Sequence, residues 1–400
     1  MHPARQRGGH GEVSMGLVIK CLLALLLLVV LLQWLGACWR RRYAFEPGYQ
    51  RIHFTRTGDG WRIALFHYPA ARRLYALPVI LCHGLGANRY NFDLGPDRSL
   101  ARYLQARGFE VWTIDLRGRG LSRMPPRNGA SRGGPAGFDA YVREDARAAV
   151  EYVKRECGAP QVHWVGHSMG GLILYAFLQG EGAVDIASGT AVASPGNFAH
   201  LRRIPGVSLL FGLLRLLPRV HQSFLAAALA PVLPFLPRSL LQLVLNPANV
   251  EPLYVKRALC HLVSDMTRGE TLQFSDWIEN REFRSFDRTY SYERNLAAIR
   301  RPLLLLAGTR DFLGSPESVA FTYDLLPGED KKLVLLGRRF GQVEDYGHGD
   351  LLIGRRCEQE VFPLILTWLQ RFEKGSARPG SETRVESSDP GAVPSEPLPG

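Results

Sequence analysis

The longest apolar run in the chain is CLLALLLLVVLLQWLGAC, residues 21–38, which carries no charged side chain. As a helix it would extend about 27 Å, close to the thickness of a bilayer's hydrocarbon core. A helix buried in a water-soluble core is normally apolar on one stripe, whereas this one is apolar all round. The pattern therefore predicts a membrane segment over 17–39, after a tail of 1–16 and before a linker of 40–50. Beyond it the periodicity changes. RIHFT (51–55) and WRIALFHY (61–68), separated by Gly58, Asp59 and Gly60, predict an opening hairpin. PVILCHG (78–84), FEVWTIDLRG (109–118), QVHWVG (161–166) and GTAVASP (189–195) are short apolar runs, as strands buried on both faces would be. SLARYLQARG (99–108), DAYVREDARAAVEYVKREC (139–157) and the run after Gly166 have helical spacing.

Alternating strands and helices predict an α/β fold, a mainly parallel sheet covered by helices on both faces. The alternation stops over 196–300. SLLFGLLRLLPRV (208–220), FLAAALAPVLPFL (224–236) and SLLQLVLN (239–246) read there as apolar helices with proline breaks. It resumes at PLLLLAGTRD (302–311) and KLVLLG (332–337) and closes with one helix over 357–372. The helical block is thus an insertion into one core built from 51–195 and 301–373. The tail 374–400, rich in Pro, Gly, Ser and Glu, is expected to be disordered.

The net charge of +12 matters through its location. The first 42 residues carry +5 and the tail 375–400 carries −2, so most of the excess sits on the body. A basic body suits nucleic acid or an anionic membrane surface, and no nucleic-acid fold motif accompanies it. The six cysteines have no C-x-x-C spacing, which argues against a zinc site or a disulfide framework. Three roles fit the apolar segment: a permanent anchor, a cleaved signal peptide, or a lipoprotein signal in which LGAC (35–38) presents Cys38 for acylation. Arg40, Arg41 and Arg42 follow it at once, which favours an uncleaved single-pass anchor with the remainder cytoplasmic.

The pattern G-x-S-x-G occurs twice, in GHSMG (166–170) and GASRG (129–133). A nucleophilic serine needs a sharp strand-to-helix turn, where glycines two residues to either side leave room for the backbone. Only GHSMG lies between a strand and a helix, so Ser168 is the candidate. Serine needs a base, and the base an orienting acid. Of the eleven histidines only His348, in DYGHGD (345–350), lies downstream of Asp311, which ends PLLLLAGTRD. His163 within a strand and His167 within the turn are set aside by position, and Asp345 and Asp350 read as residues shaping the His348 loop. The candidate oxyanion donors are the backbone N–H of Met169 and, in HGLGAN (83–88), that of Leu85.

HG at His83, DLRGRGLS from Asp115, GHSMGG around Ser168, AGTRD at Asp311 and GHGD at His348 together resemble the α/β-hydrolase fold family, in its order and spacing over residues 50–373. The ending YGHGDLLIG is similar to the acid-lipase branch. The resemblance implies that 196–300 is a cap over the site. It implies acyl transfer to water by Ser168, His348 and Asp311, with no metal or organic cofactor. A lipid-like ester is the expected substrate. The membrane is the expected partner, through the N-terminal helix and the Arg-interspersed apolar cap. An acyltransferase with the same triad and a non-catalytic membrane-bound binding protein are the alternatives. A serine at the turn argues against the family's aspartate-nucleophile reactions.

Overall fold

A computed structural model of the chain describes residues 15–124, 137–232, 238–328 and 330–373. The second pattern match, GASRG, and the terminal stretches 1–14 and 374–400 lie outside the described residues. Eight strands form one sheet: β1 (Arg51–Arg56), β2 (Arg62–Tyr68), β3 (Val79–Cys82), β4 (Val111–Asp115), β5 (Val162–His167), β6 (Ile186–Val192), β7 (Leu303–Gly308) and β8 (Lys331–Leu336). Their spatial order is β1-β2-β4-β3-β5-β6-β7-β8. β1 and β2 form the expected antiparallel hairpin, β2 runs antiparallel to β4, and every later pairing is parallel.

The short apolar runs form strands because side chains alternate between two buried faces. In β7, Leu303, Leu305 and Ala307 enter one core layer while Leu304 and Leu306 enter the other. In β3, Ile80 and Cys82 face the first layer, and Val79 and Leu81 the second. Nine helices matter here: α1 (Met15–Arg42), α2 (Leu100–Ala106), α3 (Arg147–Cys157), α4 (Met169–Leu178), α5 (Val207–Leu214), α6 (Gln222–Leu229), α7 (Arg268–Asn280), α8 (Pro316–Leu325) and α9 (Phe362–Arg371). Residues of α3, α4 and α8 cover the first layer; residues of α2 and α9 cover the second. All ten residues of α4 are buried, which is why its sequence is apolar all round.

Two expected helices differ from the simple pattern. The run 139–157 contains a π-helical stretch, Tyr141–Ala146, before α3. This stretch carries buried Asp145, whose carboxylate accepts from the Arg117 backbone N–H and Nε, each at 2.8 Å. The closing helix breaks at Val361 into Cys357–Glu360 and α9. Pro363 lacks an N–H for an unbroken ladder but suits the first turn of a new helix.

The chain leaves the sheet after β6 and returns at β7, and α5, α6 and α7 lie in that helical cap. A buried ion pair ties cap to core: Arg119, in the turn after β4, meets Glu270 of α7. Glu270 also completes a capping box with Thr267. Removing one partner of such a buried pair costs roughly 3–5 kcal/mol, because a charge is left uncompensated. α1 is longer than the expected segment, with a mean hydropathy of 3.0 in its most apolar window.

Candidate active site

β5 ends at His167 and α4 begins at Met169, leaving Ser168 alone at the turn with φ 52° and ψ −116°. A positive φ on a residue with a Cβ carries strain, of about 1–3 kcal/mol. The surroundings hold it. Ser168 N–H donates to Val192 O at 2.8 Å, and Ser168 O accepts from Gly171 N–H at 3.0 Å. The flanking glycines are steric requirements. A Cβ on Gly166 would overlap the Gly170 backbone, and one on Gly170 would overlap the Cys82 carbonyl.

Asp311 follows β7 and is buried. Its Oδ1 accepts from the backbone N–H groups of Leu313 at 2.8 Å and Gly314 at 2.7 Å. Both its oxygens face His348 Nδ1, Oδ2 at 2.9 Å and Oδ1 at 3.1 Å. Only a protonated Nδ1 can donate to a carboxylate, so the neutral ring has its lone pair on Nε2. Among the described residues neither Nε2 nor Ser168 Oγ has a hydrogen-bond partner. The His348 loop is clamped by buried Asp350. Its carboxylate accepts from Gly347 N–H at 3.0 Å and from two cap groups, Asn246 N–H and Asn249 Nδ2, each at 2.9 Å. Burial pushes the Asp350 carboxyl up to about 6, although those donors oppose the rise.

The loop after β3 passes directly over the turn, and a Cβ on Gly84 would stand 3.2 Å from Ser168 Cβ. His83 shapes this loop: Nδ1–H donates to Gly84 O at 2.9 Å, and Nε2 accepts from Leu116 N–H at 3.2 Å. Burial lowers its pKa to about 4, so the ring is neutral and can serve both roles. Among the described residues, the N–H groups of Leu85 and Met169 make no hydrogen bond. A cavity of about 400 Å³ opens beside Asp311 between His200 and Asn246 of the cap and Phe312, but Ser168 does not line it. Among the described residues no cluster of three or more His, Cys, Asp or Glu is placed to hold a metal ion.

Sequence position alone sets His167 aside, yet its ring packs against that of His348. Nε2 meets the His348 carbonyl oxygen at 3.1 Å, and the two rings are 4.8 Å apart. Nδ1 lies 3.0 Å from Asn91 Oδ1, which also accepts from Gly84 N–H at 3.1 Å. A buried bridge of polar contacts thus runs from the loop over the turn, through Asn91 and His167, to the backbone of His348. Burial, then the neighbouring His348, lowers the His167 pKa to about 3, so near neutral pH the ring has one N–H for two acceptor oxygens and donates either to the His348 carbonyl or to Asn91 Oδ1, not to both. A histidine beside the turn serine was the one available signal for this bridge. Asn91 had none.

The sequence pattern described as the alpha/beta hydrolase fold matches residues 78–352, from the start of β3 past His348. The chain belongs to the α/β-hydrolase fold family. Esterases and lipases are among the proteins it is similar to, as is a poly(3-hydroxyalkanoate) polymerase subunit of Haloferax mediterranei, 25% identical over 350 residues, covering 82% of this chain and 66% of its own. Triacylglycerol lipase 2 of Arabidopsis thaliana is 24% identical over 326 residues, covering 74% of this chain and 76% of its own. An esterase of Thermogutta terrifontis shares the fold with a TM-score of 0.55 at 18% identity, over 81% of this chain and 100% of that one. A membrane phospholipase A described as a bacterial virulence factor does so with a TM-score of 0.53 at 20% identity, over 90% of this chain and 97% of that one.

Proposed function

We propose that this α/β-hydrolase is a membrane-anchored serine hydrolase that cleaves lipid-like carboxylic esters through Ser168, His348 and Asp311. One observation carries the reading: Asp311 orients His348 through Nδ1 and leaves Nε2 without a hydrogen-bond partner among the described residues, and the His348 ring lies 4.8 Å from that of His167, the residue before the strained Ser168. Ser168 Oγ attacks the ester carbonyl carbon while its proton passes to Nε2. The carbonyl oxygen becomes an oxyanion and accepts from the N–H groups of Leu85 and Met169. Collapse breaks the bond to the leaving alcohol, which takes the proton from Nε2, and the acyl group stays on Ser168. Water then repeats the sequence: it gives a proton to Nε2, attacks the acyl carbon, and releases the acid with Ser168 reprotonated. Asp311 stabilises the protonated ring in both halves.

The apolar cap, the length and hydropathy of α1, and the likeness to a triacylglycerol lipase and a membrane phospholipase support a lipid-like acyl group. Arg40, Arg41 and Arg42 favour a cytoplasmic catalytic domain with α1 uncleaved. N-terminal sequencing of the membrane-bound chain tests this, and a mature protein beginning at Cys38 would exclude the anchor. Across p-nitrophenyl esters, kcat/KM is expected to rise from acetyl to medium and long acyl chains. A strict preference for two-carbon acyl groups would exclude the lipid reading. His167→Phe removes the bridge to the His348 carbonyl without touching the triad side chains. It is expected to lower kcat by about 10- to 100-fold, the scale of a misplacement near 1 Å, with KM little changed. An unchanged kcat would make His167 mere filling.

A further inference from the structure

The cap does not merely sit near α1; one of its helices packs along it. From Met15 to Leu28 every residue of α1 is exposed. Beyond that point Val29, Leu32, Leu35, Gly36, Cys38, Trp39, Arg40 and, just past the helix, Tyr43 are shielded, and Val29, Leu32, Gly36, Trp39 and Tyr43 among them recur at the spacing of one helix face. The closest approach is at Gly36, where a Cβ would stand 3.1 Å from Phe224 O and 3.4 Å from Ala227 Cβ of α6. Small residues on both sides let the two backbones meet, as helices do in a membrane. Arg40 closes the contact by donating from Nη2 to Ser223 O at 2.9 Å and from Nε to Cys260 O at 3.0 Å. Trp39 and Tyr43 pack against Ala227, Ala230 and Cys260.

This contact has a consequence for depth, resting on the anchor reading above. Val29 lies about 16 Å along the helix axis from Arg40, roughly half of a hydrocarbon core. With Arg40–Arg42 at the headgroups, a helix packed on the Val29–Arg40 face lies below the headgroups. The outer face of α6 fits that place. Leu225 and Leu229 are exposed, as is Val232 just beyond the helix, and so are Leu213 and Leu216 at the end of α5 and just beyond it. A helix also meets its own backbone hydrogen bonds, so it can enter lipid without orphaned polar groups. The other end of α6 touches the candidate site. The Gln222 amide lies against Gly86, the residue after Leu85, and donates to Ser264 O at 2.8 Å.

We propose that α6 is seated in the bilayer beside α1 and holds the loop carrying Leu85 at the membrane surface, so that the site takes ester lipids directly from the bilayer. The partner surface is lipid, contacted by the exposed leucines of α6.

The test uses the full chain in vesicles of phosphatidylcholine and phosphatidylglycerol with a tritiated phospholipid. The photoreactive residue p-benzoylphenylalanine replaces Leu225, Leu229 or, as a control, Leu74, which is exposed at the opposite, N-terminal edge of β3. Lipid adducts are expected at 225 and 229 several-fold above those at 74. Gly36→Leu is expected to reduce them while the chain stays in the carbonate-washed membrane pellet. Adducts at 225 and 229 no greater than at 74, in a chain retained in the pellet, would overturn the inference and leave the anchor standing. Adducts joining two copies of the chain would overturn it in favour of a dimer face. A chain released by carbonate would overturn both inference and anchor. Ester hydrolysis by that released chain would still support the proposed chemistry.

Discussion

Ser168→Ala is expected to abolish covalent labelling by a fluorophosphonate probe and to reduce kcat for ester hydrolysis by about six orders of magnitude. Ser194, whose hydroxyl lies beside Gly171, is fully buried and donates to Val192 O at 3.0 Å, so it is not presented as a replacement nucleophile. The change should leave the fold intact. Ser168 Oγ makes no hydrogen bond among the described residues, and alanine keeps the backbone bond to Val192 O. The positive φ stays as strained for alanine as for serine, so thermal stability should change little. Activity would not fall to the level of water. The Leu85 and Met169 N–H groups and substrate binding should retain about 10³-fold catalysis. Mass spectrometry of the probe-treated variant checks the assignment, and a probe adduct on another residue at the wild-type rate would refute it.

How far this was legible in the sequence depends on the range of the interaction. Short-range patterns were enough for the strands and for the position of Ser168 at a strand-to-helix turn, because a strand, a serine flanked by glycines and an apolar helix are contiguous around GHSMGG. Chain order brought His348 and Asp311 forward, and the structure places them within hydrogen-bonding distance across 37 residues. The Asn91–His167 bridge was not legible. It joins residues 76 apart, and no periodicity marks an asparagine that will face an imidazole. The packing of α6 on α1 was hidden for a similar reason. Gly36 reads as one more small residue in an apolar run, and only its position opposite Ala227 gives it a role. Pro363 was visible, yet the periodicity of 357–372 continues across the break, so the pattern alone predicted one helix where there are two.

Asp311→Asn should separate orientation from nucleophilicity. The carboxylate does two things: Oδ1 accepts from Leu313 and Gly314 N–H, and both oxygens receive the His348 Nδ1 proton. An asparagine amide can do the first with its carbonyl oxygen, so the loop after β7 should keep its shape. It then turns its NH₂ toward His348. Two donors cannot share that contact, so Nδ1 must lose its proton and Nε2 must carry it. A protonated Nε2 has no lone pair to accept the Ser168 proton. The expected result is a fall in kcat of about 10⁴-fold with KM nearly unchanged, the scale set by the wrong tautomer. The variant should also lose the charge that stabilises the protonated ring, which adds to the deficit in the same direction. Proton NMR offers a second readout that a purely structural defect would not mimic: the downfield Nδ1–H resonance should vanish while the dispersed methyl region persists. Full activity in a folded Asp311→Asn variant would show that His348 takes its orientation elsewhere. The His167 contact to its backbone would then be the next group to test.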